Sequence, residues 1–116
     1  MSKFFINGET SRVSFEDGEW VDVKQEFSQA DLDYITTKMM QAKVTTDGKK
    51  PETDLSLTFG KQATLERGIQ AWSFADGETA IPVNPDNISN LRNKYRQKVL
   101  AEIDRLNSEA GSFAKN

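Results

Sequence analysis

Alternating hydrophobic and polar positions mark the first part of the chain as β structure. Short apolar runs at residues 4–6, 13–15 and 20–23 are separated by the pairs Asn7-Gly8 and Asp17-Gly18. Asx-Gly pairs between alternating runs are strong signals for hairpin turns. The pattern therefore predicts an N-terminal β-meander of three short strands, and a frayed N-terminal tail is the alternative interpretation.

Helical spacing replaces the alternation after residue 27. Ser28 and Asp31 have the spacing of a capping box, with Asp in place of the usual Glu. The apolar positions that follow recur at intervals of three and four and are predicted to point inward: Leu32, Ile35 and Met39. The sequence therefore predicts a first helix from Ser28 to near Val44, followed by a polar loop over residues 46–53 that is rich in helix-breaking residues.

The middle of the chain is ambiguous. Residues 54–59 alternate in the manner of a half-buried strand, although the run is short. Helical spacing resumes from Gly60 and continues to Trp72, which predicts a second helix with Gly68 inside it. A glycine in a helix costs about 1 kcal/mol relative to alanine. Close approach of the backbone of another element would explain this glycine, and chance is the alternative.

Asn84-Pro85-Asp86 is the clearest helix start in the chain, with an N-cap, a proline at the first helical position and an acid in the first turn. Apolar positions then recur at three or four residues: Ile88, Leu91, Tyr95, Val99, Ile103 and Leu106. Asn90 and Asn93 could divide this stretch into a short helix and a long one. We predict a single α+β domain over residues 1–108, in which an N-terminal β-meander is followed by three helices. The last helix should be the longest and amphipathic, and residues 109–116 should form a flexible C-terminal tail.

Composition narrows the function classes. The 116 residues suit one domain. Histidine and cysteine are absent, which removes the commonest acid–base group, the thiolate nucleophile and sulfur-based metal sites. A net charge of −3 gives no electrostatic reason to bind nucleic acid, and no apolar run suits a membrane span or a signal peptide. We expect a non-enzymatic cytoplasmic protein with no cofactor, no metal site, and no nucleic acid or membrane partner.

Two groups of charged residues are candidate binding sites. The acidic group does not have the spacing of a calcium loop, so its carboxylates are predicted to be solvated at turns and strand edges: Glu16, Asp17, Glu19, Asp22 and Glu26. The basic group brackets the apolar stripe of the last helix, which is typical of side chains that cover the edge of a buried helix: Arg92, Lys94, Arg96 and Lys98. Binding of nucleic acid or of an acidic protein is the alternative for the basic group.

Aromatic side chains are the best candidates for contact with a partner protein. Trp20 and Trp72 are the residues most capable of anchoring an interface, but they are also the largest side chains available for a small core. A core position is therefore the first interpretation of both tryptophans. Trp20, Trp72, Phe74 and Tyr95 are the predicted partner-binding residues.

One stretch of sequence resembles a known family. Trp72-Ser73-Phe74-Ala75-Asp76-Gly77, then Ile81-Pro82-Val83, then residues 84–91 with Asn87-Ile88 and Leu91 resemble a pattern in small proteins that tailed bacteriophages encode among their tail genes. Upstream, residues 19–24 followed by Phe27-Ser28 resemble the matching start of that pattern, a Trp-Val-Asp/Glu strand before a capped helix. The two matches extend from about residue 18 to residue 106.

The resemblance implies a protein similar to tail assembly chaperones, which keep the tape-measure protein soluble while tail-tube subunits polymerise around it. The expected partners are phage tail proteins (the tape-measure or tail-tube protein), the expected location is the host cytoplasm, and the chain could also form homo-oligomers. The rival interpretation is a stoichiometric virion protein, either a head–tail connector or a minor tail component. A small regulatory protein that uses the basic flank of the last helix is a weaker alternative.

Overall fold

The computed structural model describes the backbone of residues 4–46 and 52–109, and the side chains of residues 4–41 and 57–108. This part of the chain forms an α+β fold, as predicted. In chain order the elements are β1 (Thr10–Ser14), β2 (Trp20–Lys24), α1 (Gln29–Thr46), α2 (Glu52–Gly68), β3 (Ile69–Trp72), β4 (Ala75–Asp76), β5 (Thr79–Ala80), α3 (Pro85–Ser89) and α4 (Asn93–Glu109).

The main sheet has three antiparallel strands in the order β1-β2-β3. The predicted Asp17-Gly18 turn joins β1 to β2, and Gly18 adopts a φ of 88°, which glycine reaches at little cost. The Asp17 side chain accepts a hydrogen bond from the Glu19 backbone N–H at 3.1 Å. Strands β4 and β5 form a separate two-stranded ribbon.

The predicted first strand over residues 4–6 is wrong. These residues are exposed and do not belong to a strand, and Phe4 and Phe5 are 81% and 74% exposed. The third strand of the sheet is β3, which follows α2 and pairs with the free edge of β2. Ile69 of β3 is buried in the core, so β3 buries apolar surface at that edge.

Helix α1 begins as predicted. The Asp31 backbone N–H donates to the Ser28 hydroxyl at 3.2 Å, and the Ser28 backbone N–H donates to the Asp31 carboxylate at 2.9 Å. Both bonds of the capping box are therefore formed. The helix continues to Thr46, two residues beyond the predicted end. Of the predicted loop over 46–53, residues 47–51 lie outside the described residues.

Helix α2 corrects two predictions. The helix begins at Glu52, so the strand predicted over residues 54–59 and the helix start predicted at Gly60 are both wrong. The helix ends at Gly68, so the helical spacing that continued to Trp72 did not mark a helix, and those last residues form β3. A Cβ atom on Gly68 would lie 2.7 Å from Cδ1 of Ile103. The nearest atoms to this glycine therefore belong to a side chain of α4, and not to a backbone as predicted.

The final helical stretch is divided where Asn90 and Asn93 suggested, so the described residues contain four helices instead of three. The Asn84 side chain accepts from the Asn87 backbone N–H at 2.8 Å and caps α3, with Pro85 in the first turn. Helix α4 has 17 residues and α1 has 18, so the last helix is long without being the longest. Helix α4 includes Glu109, whereas residues 110–116 of the predicted tail lie outside the described residues.

The core lies between one face of the three-stranded sheet and helices α2 and α4. Its buried apolar residues are Val13, Val21, Val23, Phe27, Leu65, Ile69, Ile88, Val99 and Ile103. Two polar side chains, Asp31 and Asn107, are also fully buried. Asn107 accepts from the Phe27 backbone N–H at 3.0 Å and donates to the Ile103 carbonyl at 2.9 Å. These bonds tie the end of α4 to the start of α1.

Candidate functional site

An open groove lies between α1 and α4, with α2 as its floor, and has a volume of about 750 Å³. Within the described residues α2 packs against both α1 and α4, whereas α1 and α4 make no comparable contact with each other. Helix α1 lines one wall with Leu32, Ile35, Thr36 and Met39. Helix α2 lines the floor with Leu57, Gly60, Lys61 and Thr64. Helix α4 lines the second wall with Gln97, Leu100, Ala101 and Asp104.

The three sets of lining residues share one spacing, i, i+3, i+4 and i+7. This spacing places four side chains on one face of a helix over about 10 Å of its length. Each helix therefore presents a stripe of four side chains, about two helical turns long, to the groove. The stripes are mainly apolar, and the predicted inward-facing residues Leu32, Ile35 and Met39 are only half-buried because they face this groove.

Gly60 on the floor of the groove and Met39 on the α1 wall pack against each other. A Cβ atom on Gly60 would lie 3.1 Å from the Met39 sulfur, so the glycine provides room for Met39 against α2. Methionine has a flexible, polarizable side chain that adapts to differently shaped partners. Leu57, at the same end of the groove, is 51% exposed. This end of the groove therefore offers apolar surface that can adjust its shape.

Two charged residues line the groove, Lys61 on the floor and Asp104 on the α4 wall. Neither forms an ion pair within 4 Å with another residue whose side chain is described. Asp104 is exposed, yet desolvation by the surrounding protein raises the pKa of its carboxyl group. The direction of this shift agrees with a carboxylate on a mainly apolar wall that has no neighbouring cation.

The groove is fixed at one end by a buried carboxylate. Asp31, which is fully buried, accepts from Lys24 Nζ at 2.9 Å and from Arg67 Nε at 2.8 Å. Burial would raise its pKa, but the hydrogen bonds from Lys24, the Ser28 backbone and Arg67 outweigh burial and lower the pKa to about 2. The three side chains join α1 to β2 and α2. Helix α1 is therefore anchored where the groove begins at Leu32.

Three of the four predicted partner-binding residues form an aromatic cluster away from the groove. The ring of Phe74 lies 5.3 Å from Trp72 and 5.9 Å from Tyr95, and Phe15 lies 4.7 Å from Tyr95 in an edge-to-face arrangement. Trp72 also donates from its indole N–H to the Ile81 carbonyl at 2.6 Å. The cluster packs the strands against the start of α4, and its members are half-buried.

Trp20 lies elsewhere, on the sheet face opposite the core. Its neighbours Val21 and Val23 point into the core, so under the alternation of a strand Trp20 points away from it. The Arg12 guanidinium group lies 3.6 Å from the centre of the Trp20 ring and pairs with Asp22 at 2.8 Å. The four predicted residues thus occupy two places, and contact of these residues with a partner remains a prediction.

The basic residues beside the α4 stripe cover neighbouring elements. Arg96 donates to the Ile88 carbonyl at 2.8 Å, and Lys98 donates to the Ser14 carbonyl at 2.8 Å. Lys98 also lies over the Phe15 ring at 5.3 Å. These contacts join α4 to α3 and β1, in agreement with side chains that extend along the edge of a packed helix.

The part of the chain that the structure describes meets the requirements of neither a metal site nor a membrane-spanning helix. It contains no group of three or more acidic side chains placed to hold a metal ion. Across residues 4–46 and 52–109, no helix has the length and apolar character needed to cross a membrane. Comparison with protein-family models, with curated proteins and with solved structures yields no match.

Sequence reasoning missed the groove as a site. The α1 residues of the groove were predicted as inward-facing positions, but the α4 wall was not identified, because Leu100, Ala101 and Asp104 lie beside the predicted stripe that contains Val99 and Ile103. The sequence did contain a signal for this wall, a second helical stripe on α4. Leu100 lies three residues after Gln97 and Asp104 lies four residues after Leu100, on a helix face next to the buried one.

Proposed function

We propose that this chain is a non-enzymatic bacteriophage tail assembly protein, similar to tail assembly chaperones, that binds helical apolar surface on a tail protein such as the tape-measure protein. The groove between α1 and α4 is the observation that carries the proposal. A client helix would occupy the groove until tail assembly displaces it. The protein would act in the host cytoplasm.

The shape of the groove supports a helix as its occupant. Helices pack side by side by interdigitating residues at i, i+3, i+4 and i+7, and recognition of an amphipathic helix in an apolar groove uses the same spacing. In this structure α1, α2 and α4 each line the groove with residues at that spacing. An inserted helix would complete a four-helix arrangement and would cover Leu32, Ile35 and Leu100, which are only half-buried in the chain alone.

The chemistry of the groove supports binding in preference to catalysis. A general acid or base works with a reacting group within hydrogen-bond reach. The groove contains one carboxyl group and one ammonium group, on Asp104 and Lys61, and these two groups form no ion pair with each other. The Thr64 hydroxyl donates to the Gly60 carbonyl at 2.7 Å, so its proton is already engaged. The mainly apolar lining suits burial of a client surface.

The phage assignment is supported by the sequence pattern of residues 72–91 and by its upstream match at residues 19–28. In the structure these residues form the end of strand β3, an exposed ribbon and the capped helix α3; Ile88 of α3 is buried in the core, and Trp72 of β3 packs against it. Client identity comes from the resemblance alone, since such chaperones keep the tape-measure protein soluble. The groove supplies a binding mode for that client.

The test is co-expression of the full chain with the tape-measure protein from the genome that encodes it. The wild-type chain should raise the soluble fraction of this client. Ala101→Trp fills the groove with an indole ring and should return solubility to the level of the client alone. Ala30→Trp is the matched control, because Ala30 is an exposed α1 residue outside the groove, and this variant should behave as wild type.

Three outcomes would contradict the proposal. The first is a folded wild-type chain that leaves the client insoluble, and the second is an Ala101→Trp variant that solubilises the client as well as wild type does. The third is recovery of the chain at fixed copy number in purified particles, which would favour a stoichiometric connector or minor tail component. Circular dichroism and thermal unfolding of both tryptophan variants establish that any loss of activity is not a loss of fold.

A further inference from the structure

The charges of the groove are distributed unequally. The four lining residues of α1 carry no charge, the floor carries only Lys61, and the α4 wall carries only Asp104. An apolar surface that carries one carboxylate, with no cation paired to it among the described side chains, favours a partner that supplies a cation there. The groove therefore combines a mainly apolar lining with one negative and one positive side chain on different helices.

Contacts between the helices show where this carboxylate lies along the groove. Helices α1 and α2 are antiparallel, since Asp31 pairs with Arg67 at one end and Met39 packs over Gly60 nearer the other. The start of α1 and the end of α2 therefore lie at the same end of the groove, beside Leu32.

Helix α4 runs in the same direction as α2. Arg96 donates to the Gln62 side chain at 3.2 Å, and Ile103 lies against Gly68. Asp104 follows Ile103 and so belongs to the groove end that contains Leu32, away from Met39. Lys61 lies between Leu57 and Thr64 on the floor, near the middle of the groove.

We infer that the groove binds an amphipathic helix that carries a lysine or arginine beside one end of its apolar stripe, and that Asp104 is the specificity-determining residue for this cation. The inference rests on the proposed function, because it assumes a helix in the groove. Lys61 contributes the repulsive part of the selectivity, since a basic residue in the middle of the bound stripe would face a like charge. A helix with a wholly basic flank is thus disfavoured, and one with a terminal basic residue is favoured.

The probes are two acetylated and amidated peptides of about 18 residues, long enough for partial helix formation in water. Both have leucine at i, i+3, i+4 and i+7 on a background of alanine and glutamine. The basic peptide has lysine beside each end of the leucine set, so that either orientation places a lysine near Asp104, and the neutral peptide has glutamine there. Lysine and glutamine have similar helix propensities, so the peptides differ mainly in charge.

Fluorescence anisotropy of labelled peptides gives the dissociation constants with the full chain. The basic peptide should bind the wild type about fivefold more tightly than the neutral peptide at low salt, and the advantage should shrink as salt rises. Asp104→Asn should remove the advantage without weakening the neutral peptide. Glu78→Gln is the matched control, because it removes one exposed carboxylate in the β4–β5 turn outside the groove, and it should retain the advantage.

The outcomes separate this inference from the proposed function. Equal binding of both peptides to wild type, abolished by Ala101→Trp, would overturn the charge preference and leave helix binding in the groove intact. Failure of both peptides to bind would count against the groove as a helix site and hence against both proposals. A wild-type chain that sediments as a dimer and becomes monomeric in Asp104→Asn would overturn the inference in favour of a second copy as the occupant.

Discussion

Replacement of Asp31 with asparagine should lower the free energy of unfolding by about 3 kcal/mol near neutral pH, because it removes the charge from a buried ion cluster. Asparagine has nearly the same shape, so the change tests charge in preference to packing. The wild-type carboxylate receives bonds from Lys24, Arg67 and the Ser28 backbone, all at 2.8 to 2.9 Å. Lys24 and Arg67 are 27% and 37% exposed, so both cations can recover some hydration after the change.

The same substitution should alter the dependence of stability on pH. The pKa of Asp31 is about 2 in the folded protein and 3.8 for the ordinary group. Because the folded value is the lower one, the stabilisation is fully present above pH 3.8 and is lost as the pH falls toward about 2. A difference of this size between the two states corresponds to about 2 kcal/mol. The stability gap between wild type and Asp31→Asn should therefore narrow by about that amount in acid.

Urea unfolding followed by circular dichroism measures this gap from neutral pH down to the lowest pH at which the wild type still folds. The other carboxylates titrate in both proteins, so the gap isolates Asp31. Asp33→Asn is the matched control, since Asp33 is an exposed neighbour on α1 whose side chain accepts from Gln29 and from no other described residue. Its effect should stay within about 0.5 kcal/mol at every pH. A gap for Asp31→Asn that does not change with pH would refute the role assigned to the buried charge.

Two further predictions concern local packing and are tested by urea unfolding. Asn84→Ala removes the cap of α3 and should cost about 1 kcal/mol, and an unchanged midpoint would contradict a stabilising cap. Gly68→Ala would gain helix propensity, yet its Cβ would lie 2.7 Å from Cδ1 of the buried Ile103, so it should destabilise the protein by about 1–3 kcal/mol. In an Ile103→Val background, which lacks Cδ1, the same change should cost less, and a stabilising Gly68→Ala in wild type would show that the contact is unimportant.

The features that sequence predicted correctly depend on contacts between residues three or four apart. The capping box of Ser28 and Asp31 and the cap of Asn84 form because donor and acceptor lie in the same turn of chain. The Asp17-Gly18 turn is equally local. Such signals need no knowledge of the rest of the fold, and in each case the predicted element begins where the signal lies.

The strand over residues 54–59 was predicted wrongly because alternation of apolar and polar residues can occur in a helix as well as in a strand. Leu57 and Phe59 are two residues apart, which in a strand would place both on one face. In α2 the same spacing turns them about 200° apart, so Leu57 lines the groove while Phe59 faces a separate hollow beside Pro85. A helix that is contacted on both sides can thus carry a strand-like pattern. The local sequence alone did not distinguish such a helix from a strand.

The third strand could not be predicted for a different reason. Residues 69–72 form β3 because the edge of β2 is available to them, more than 40 residues earlier in the chain. Their spacing continued the helical pattern of Leu65, and Gly68 was interpreted as an internal helix residue. The glycine instead ends α2 and lets Ile103 approach, and pairing with β2 then satisfies the backbone of the residues that follow.

The groove shows most clearly what an apolar pattern leaves undecided. Helical periodicity indicates that Leu32, Ile35 and Met39 need to be covered, but it does not say whether the covering element belongs to the same chain. In the structure α2 covers them on one side only, whereas Asp31, immediately before Leu32, is fully buried. A polar contact, the ion cluster of Asp31 with Lys24 and Arg67, therefore fixes the start of α1 against β2 and α2. Leu32, Ile35 and Leu100 pack against the main core and are nevertheless only half-buried, so under the proposed function a partner helix would cover the rest of their apolar surface.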